Sequence, residues 1–488
     1  MLRRHFFRNM SLLSAGIVLP AKSMLAEDKK ENSLYTGQVL GNNAGIEKVA
    51  VSNGFDIVYT DNKGYYELPQ HEKAKFIFIS LPAGYEIPTK KGIAQFYQEI
   101  ATLKSTENIN FSLKKLKVSD DKHKFIVWAD PQIRTKKDAH LLNTISAPDT
   151  LKHIQTLGKQ PIFGIGCGDL IWDKYELFTD YRKAVAQTKI PFWQVIGNHD
   201  QDYSARSDEG SANKFSEQFG PNYYSFNRGK VHYVVLDDVF FMGIDRRYIG
   251  YVTETQLEWL EKDLKTIPEK SLVVVALHIP THTGNTRRQH LKEDKDGSMV
   301  MNRQALYDIL KNYKVQFISG HTHFNEVWEK DNMMEHNLGT LCGAWWTGPI
   351  CGDGTPSGYS VFEVDGNEVS WYYKSTGYEK EHQLKIHTKG TDKELPQHII
   401  ANVWNYDPAW KVEWFEDGTE KGEMQQYTGL DPEAVQLYLG EQLPQTRKWV
   451  EPMLTDHLFI AKPSNTAKQI TVKVTDRFGN VYQDKISL

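Results

Sequence analysis

The sequence predicts a multidomain α/β (α+β) chain, with an α/β core between an amino-terminal β-sandwich and a carboxy-terminal β-rich domain. Three observations predict it. Six apolar, strand-like runs in the middle of the chain each close at, or just before, a side chain able to bind a metal. Helical patterns separate those runs, and strands alternating with helices argue for an α/β core. Both flanks instead carry short alternating runs split by tight-turn residues. The length of 488 residues exceeds what one hydrophobic core usually serves and fits roughly three domains of ~150 residues.

At the amino terminus, Arg3-Arg4 and Arg8 precede an apolar stretch around Ser11 to Leu19, and Ala26 is a small residue suited to the position before cleavage. Residues 1–26 read as an export signal, with the paired arginines pointing to the twin-arginine route and an ordinary secretory signal as the alternative. Export implies a periplasmic or cell-surface protein of a bacterium.

Residues 33–115 carry short runs at Thr36–Leu40, Val49–Ser52 and Asp56–Thr60, with turns at Asn53-Gly54, Asp61–Gly64 and Pro82–Gly84. This texture predicts a small β-sandwich. The segment also resembles the carboxypeptidase-regulatory-like β-sandwich often attached to exported enzymes.

Residues 121–380 form the expected α/β core. The spacing predicts helices over Pro148–Leu157, with the proline in the first turn, and over Tyr175–Lys189, Thr253–Leu264 and Arg303–Tyr313. In the third, Leu257, Leu260 and Leu264 share a face, and Thr253 and Gln256 stand at capping-box spacing. Residues 383–488 turn β-like again. Strands are expected at Ile399–Trp404, Lys411–Phe415, Gln469–Asp476 and Val481–Ile486, with turns at Asp417-Gly418 and Phe478–Asn480 and a helix over Asp431–Leu439.

Composition narrows the function. A net charge of -4 gives no argument for nucleic acid, and no nucleic-acid-binding surface is expected. Nothing after the amino terminus approaches the ~18 apolar residues of a membrane span. Three cysteines cannot build a disulfide framework. Cys342 and Cys351 either bridge or remain free thiols, and Cys167 reads as a small buried hydrophobe.

The six runs end at Asp130, Asp169, Asn198-His199-Asp200, Asp237-Asp238, His278 and His321-Thr322-His323. Ligands at the carboxyl ends of neighbouring strands build a rigid site at one sheet edge. Two cations there would activate water and neutralise phosphoryl oxygens, which is what phosphoester hydrolysis requires. An extended His-x-His segment directs alternate residues to different cations. Mixed nitrogen and oxygen donors suit Mn, Fe or Zn more than Ca. Asp237 and Asp238 are expected to end their strand away from the metal.

The series Asp130-Pro131-Gln132, Gly168-Asp169, Gly197–Asp200, His278 and Gly320–His323, with Phe219–Phe226 and Gly229–Asp237 between, resembles the calcineurin-like metallophosphoesterase superfamily. The outer segments add a resemblance to an exported bacterial subfamily with accessory domains at both ends. The resemblance implies a central β-sandwich with helices outside and two divalent or trivalent metal ions at one end. It implies Asp169 as the bridging ligand. Asn198, His278 and His321 would complete one metal, and Asp130 and His323 would hold the other. It gives His199 the role of protonating the leaving alkoxide or stabilising the transition state, with Asp200 orienting its ring. It implies in-line attack by a metal-bound hydroxide, without a phospho-enzyme.

Two positions depart from the family pattern. Gln132 stands where a histidine is usual, and its amide oxygen is a weaker ligand, so looser binding or a harder cation is expected there. Trp172 stands where an aspartate is usual, and the neighbouring Asp173 is a candidate for that supporting role. Candidate substrate-binding residues are Arg134, His282, and Trp345 and Trp346 in the glycine-rich loop Gly343–Gly358.

The expected function is metal-dependent hydrolysis of a phosphoester substrate, as a phosphodiesterase or a phosphatase. The alternative is a degenerate fold acting as a glycan- or protein-binding scaffold. Oligomeric state is left open.

Overall fold

Two mixed sheets, each with a parallel centre, share one apolar core at the centre of the molecule. The computed structural model describes residues 33–444 and 446–488, so the expected export signal at 1–26 lies outside the described residues. Residues 34–488 pack as one unit.

The first sheet has seven strands. Its parallel centre is Lys122–Trp128, Ile162–Cys167 and Phe192–Val195, with the hairpin Gly358–Asp365/Glu368–Ser375 on one side. The second has six, with Val231–Val235, Leu272–Ala276, Lys314–Ser319 and Met333–Asn337 running parallel. Alternation along each strand explains the layers. Phe125 and Val127 point into the sandwich, whereas Ile126 and Trp128 pack on the outer helices with Tyr181 and Ala184. Burial on both faces is why these strands read as unbroken apolar runs. Aromatic rings fill the sandwich, with Trp193 stacked on Phe226 at 4.0 Å and Phe163 edge-on to Tyr233 at 5.3 Å.

The amino-terminal segment forms two four-stranded sheets, one around Leu34–Gly41 and one around Ala50–Ser52 and Phe76–Ile79. Its core runs on into the central sandwich, because Val39, Val51 and Ile77 belong to the same apolar cluster as Phe163 and Val274. Its hairpin Thr89–Lys90/Ile93–Ala94 extends the seven-stranded sheet through Ile93 and Phe192. The carboxy-terminal segment is a second sandwich of two four-stranded sheets closed over Trp410, Trp414, Ile470 and Val472. Asp417 and Gly418, both at positive φ (48° and 83°), make the expected tight turn between Lys411–Glu416 and Thr419–Glu423.

Some local expectations differ from the structure. The helix expected from Pro148 begins earlier, at Lys136, where Thr135 and Asp138 form a reciprocal cap. Pro148 stands in the first turn of the segment Ala147–Ile154, as expected, and that segment follows a π turn over Leu142–Ser146. Gln256 does not cap its helix. Its amide donates to Asp237 O and its carbonyl accepts from Asp237 N, so it ties the helix to a strand end. Cys342 and Cys351 are free buried thiols, each 3.5 Å from the Thr340 hydroxyl.

Candidate metal centre

The site is built where the parallel strands end, and the backbone there is strained to converge side chains. Asp130, Gln132, Asp169, Asp173, His321 and His323 all have positive φ, between 41° and 70°. Non-glycine residues rarely adopt this region, and such strain clusters at functional sites. Glycines allow the close approach. A Cβ at Gly320 would stand 2.4 Å from Asp130 Oδ2, and one at Gly197 would stand 2.3 Å from Asp169 Oδ1.

Asp169 is the hub. Its Oδ1 accepts from the His199 backbone N–H at 2.8 Å, and its Oδ2 accepts from the Gln132 amide at 2.7 Å. His278 Nε2 lies 3.3 Å from Asp169 Oδ1, 3.2 Å from Asn198 Oδ1 and 3.3 Å from His321 Nδ1. The opposite nitrogen of each ring is committed, since His278 Nδ1 donates to Cys167 O at 3.1 Å and His321 Nε2 donates to Gly297 O at 2.9 Å. Three acceptors therefore converge on one imidazole nitrogen that can carry at most one proton. A cation satisfies all four donor atoms at once, and Asp169, His278 and His321 form a compact candidate group for it.

A second set lies beside the first. Asp130 accepts the His321 backbone N–H at 3.0 Å, and its Oδ1 is 3.4 Å from His323 Nε2. Gln132 Oε1 and His323 Nδ1 are buried without a hydrogen-bond partner. An orphaned buried carbonyl oxygen is costly unless something fills its coordination. The donor chemistry of Asp130, Gln132 and His323 thus fits a cation too.

Electrostatics mark the same place. Burial opposes charge on His278, yet Asp169, Asp130 and Asp238 together push its pKa up to about 10. Burial also opposes charge on Asp169, but His278 and His199 hold it well below the usual carboxylate range. Burial, aided by His278, pushes His321 down to about 4.

His199 stands at the edge of this cluster. Its Nδ1 is 2.9 Å from Asp173 Oδ1, which leaves Nε2 as its free edge. Asp173 is held in turn by Arg246, whose Nη1 donates to Oδ2 at 2.8 Å. The expectation that Asp200 orients the ring is therefore corrected. Asp200 instead accepts from Gly197, Leu170 and Ile171 N–H groups and locks the Asp169 loop to the Asn198 loop. Burial, with Asp169 nearby, pushes its pKa up to about 8. Asp238 accepts the His278 backbone N–H at 3.1 Å and so holds that candidate ligand, while Asp237 bonds Asn222 and Gln256.

The expected substrate contacts divide. Trp345 stacks on His323 at 4.2 Å between ring centres, and Arg134 lies 4.8 Å over Trp172, whose ring is 5.2 Å from His199. Trp346 is an anchor rather than a wall, because its Nε1 donates to Pro131 O at 2.8 Å and its ring packs on the core. His282 turns away from the cluster. Its ring stacks on Trp328 in a separate groove of about 490 Å³ lined by Arg287, Arg288, Tyr427 and Asp456. Arg246, Arg447 and Trp449 were not signalled by the sequence, because each sits in a connecting segment without motif or periodicity.

Comparison with known proteins agrees in kind. Residues 34–116, 123–325 and 335–482 match the family models described as the N terminal of calcineurin-like phosphoesterase, calcineurin-like phosphoesterase, and the C terminal of calcineurin-like phosphoesterase. The chain is 26% identical over 192 residues to "Probable glycerophosphodiester phosphodiesterase GpdQ" of Arcobacter nitrofigilis, covering 36% of this chain and 63% of that protein. It is 26% identical over 195 residues to "Purple acid phosphatase 15" of Arabidopsis thaliana, covering 38% and 32%. It is 28% identical over 186 residues to the mouse "Serine/threonine-protein phosphatase CPPED1", covering 35% and 56%. The chain thus spans between about a third and just under two thirds of the length of these relatives.

Proposed function

The chain belongs to the calcineurin-like phosphoesterases, and from that premise we propose that it hydrolyses phosphoesters at a two-metal site. The observation that carries the reading is the convergence of Asp169, Asn198 and His321 acceptors on His278 Nε2. Asp169, Asn198, His278 and His321 would hold one ion. Asp130, Gln132 and His323 would hold the other. Mn, Fe or Zn suits this mixed donor set. Two such ions supply charge neutralisation for phosphoryl oxygens and lower the pKa of a bound water.

The rest is done by the chain. Asp173, itself clamped by Arg246, fixes the His199 ring through Nδ1, so that Nε2 carries the proton offered to the leaving alkoxide. Burial opposes charge on His199, but Asp169 and Asp173 raise its pKa and favour that protonated form. The relatives include a phosphatase and a phosphodiesterase by name, and both ester classes are in scope. Arg3-Arg4 and the following apolar stretch support export to the periplasm or cell surface. The scaffold alternative is not favoured, because a binding platform has no need of converging acceptors at strained backbone.

The test compares bis-p-nitrophenyl phosphate with p-nitrophenyl phosphate on the metal-loaded chain and on His199→Ala. Hydrolysis of at least one ester, lost by more than about 100-fold in the variant, supports the reading. No hydrolysis of either with Mn, Fe and Zn supplied would contradict it.

A further inference from the structure

Five aromatic rings form a continuous arc from one expected metal ligand to the expected proton donor. His323 stacks on Trp345, with centroids 4.2 Å apart and planes at 19°. Trp345 meets Trp449 at 4.7 Å and 63°. Trp449 meets Trp172 at 5.8 Å and 83°, and Trp172 reaches His199 at 5.2 Å. The middle ring of this arc, Trp449, comes from the carboxy-terminal part of the chain, more than a hundred residues after the last expected ligand.

The segment that carries Trp449 is pinned. Arg447 Nη2 donates to Asp138 Oδ2 at 2.6 Å with only 9% of its side chain exposed, and its guanidinium lies 5.5 Å over Trp172. The Thr446 and Thr347 hydroxyls are 2.9 Å apart. Val450 is buried with Ala344, Ile350 and Tyr438. Fixed on both sides, Trp449 nevertheless remains 51% exposed. A half-exposed ring alone is ordinary, but this one is the middle member of an arc that joins His323 to His199, on a segment anchored on both sides.

The other members of the arc are already engaged. Trp345 gives a face to His323, and Trp172 carries the guanidinium groups of both Arg134 and Arg447. Trp449 touches its neighbours at steep angles and keeps exposed ring surface. We propose that Trp449 is a specificity-determining residue, on which the organic part of a ring-bearing phosphoester stacks, with Arg134 and Arg447 at its side. The ligand class is a phosphate or phosphonate ester whose substituent carries a flat ring, as an aryl or nucleoside group does. Stacking of a flat ring on an aromatic side chain is strong enough to set a preference of about tenfold. This inference rests on the proposed phosphoester reading for the position of the phosphoryl group.

The experiment is calorimetric binding of phenylphosphonate and methylphosphonate to the full chain loaded with Mn, using wild type, Trp449→Ala and Trp449→Phe. Wild type is expected to prefer phenylphosphonate by about tenfold. Trp449→Ala should lose most of that preference through weaker phenylphosphonate binding, and Trp449→Phe should restore much of it. Thermal unfolding of each variant shows whether the half-exposed ring was needed for folding. An unchanged preference in Trp449→Ala overturns the proposal, and so does an equal loss for both ligands. Turnover is a separate readout. A ring preference that depends on Trp449 in a chain without hydrolysis would sink the hydrolase reading and leave the subsite standing.

Discussion

His278 Nε2 and His321 Nδ1 face one another at 3.3 Å, and each ring's other nitrogen is tied to a backbone carbonyl. The fold therefore sets which nitrogen of each ring faces inward, with the His321 Nδ1 lone pair turned to His278 Nε2. Asp169 Oδ1 and Asn198 Oδ1 crowd the same nitrogen at 3.3 and 3.2 Å, so one proton there can serve only one of three acceptors.

Replacing either ring should release the ion they share. His278→Ala and His321→Ala are each expected to lose about one metal per chain and at least 100-fold in hydrolysis. Metal analysis of the purified variants checks this, and full metal retention would count against the assignment.

Gln132 is expected to make the second set the weaker one. Its amide N–H₂ donates to Asp169 while its carbonyl oxygen lies buried without a partner. On titration with a chelator, one metal should leave before the other. Gln132→His should narrow that gap, because imidazole is the stronger ligand. Simultaneous loss of both ions in the wild type would contradict this order.

Asp173 and Asp200 should separate cleanly. Asp173→Asn disturbs the His199 ring, so kcat should fall about 10- to 100-fold with metal content and unfolding midpoint nearly unchanged. Asp200→Asn leaves three backbone N–H groups worse paired and should lower the midpoint instead. The reverse pattern would return the orienting role to Asp200.

Buried neutral histidines tie stability to pH. Burial pushes His123 down to about 4 and His336 down to about 3, against ~6.5 in the unfolded chain. The unfolded chain binds the extra protons, so their contribution is complete above about pH 6.5 and is lost as pH falls towards 4. Near pH 5 each contributes a slope of about 1.4 kcal/mol per pH unit. His336→Gln should flatten the dependence by about that amount in urea unfolding at pH 5, 6 and 7. An unchanged slope would mean that His336 does not stay neutral when folded.

The glycines are part of the site. Gly320→Ala would drive a methyl group into Asp130, and Gly197→Ala would drive one into Asp169. Both variants should bind metal at least tenfold more weakly, and metal affinity equal to wild type would show that the loops can shift at little cost.

The central strands were legible because burial on both faces makes each an unbroken apolar run, and because Asp130, Asp169, Asn198, His278 and His321 punctuate the ends of those runs. The partner of His199 was less legible, since Asp173 and Asp200 both stand close in sequence and only the fold shows which carboxylate meets the ring. Pro148 marked the first turn of Ala147–Ile154, but the preceding helical turns from Lys136 were not read from the sequence. Trp449 and Arg447 were illegible, because a side chain placed by tertiary packing of a connecting segment leaves no periodic trace.

The most direct measurement is elemental analysis of metal per chain on protein purified without chelator. Close to two transition-metal ions per chain are expected, one of them lost first on dilution. One ion or fewer, persisting after incubation with Mn, Fe or Zn, would contradict the two-metal site and leave Asp130, Gln132 and His323 without the role assigned to them.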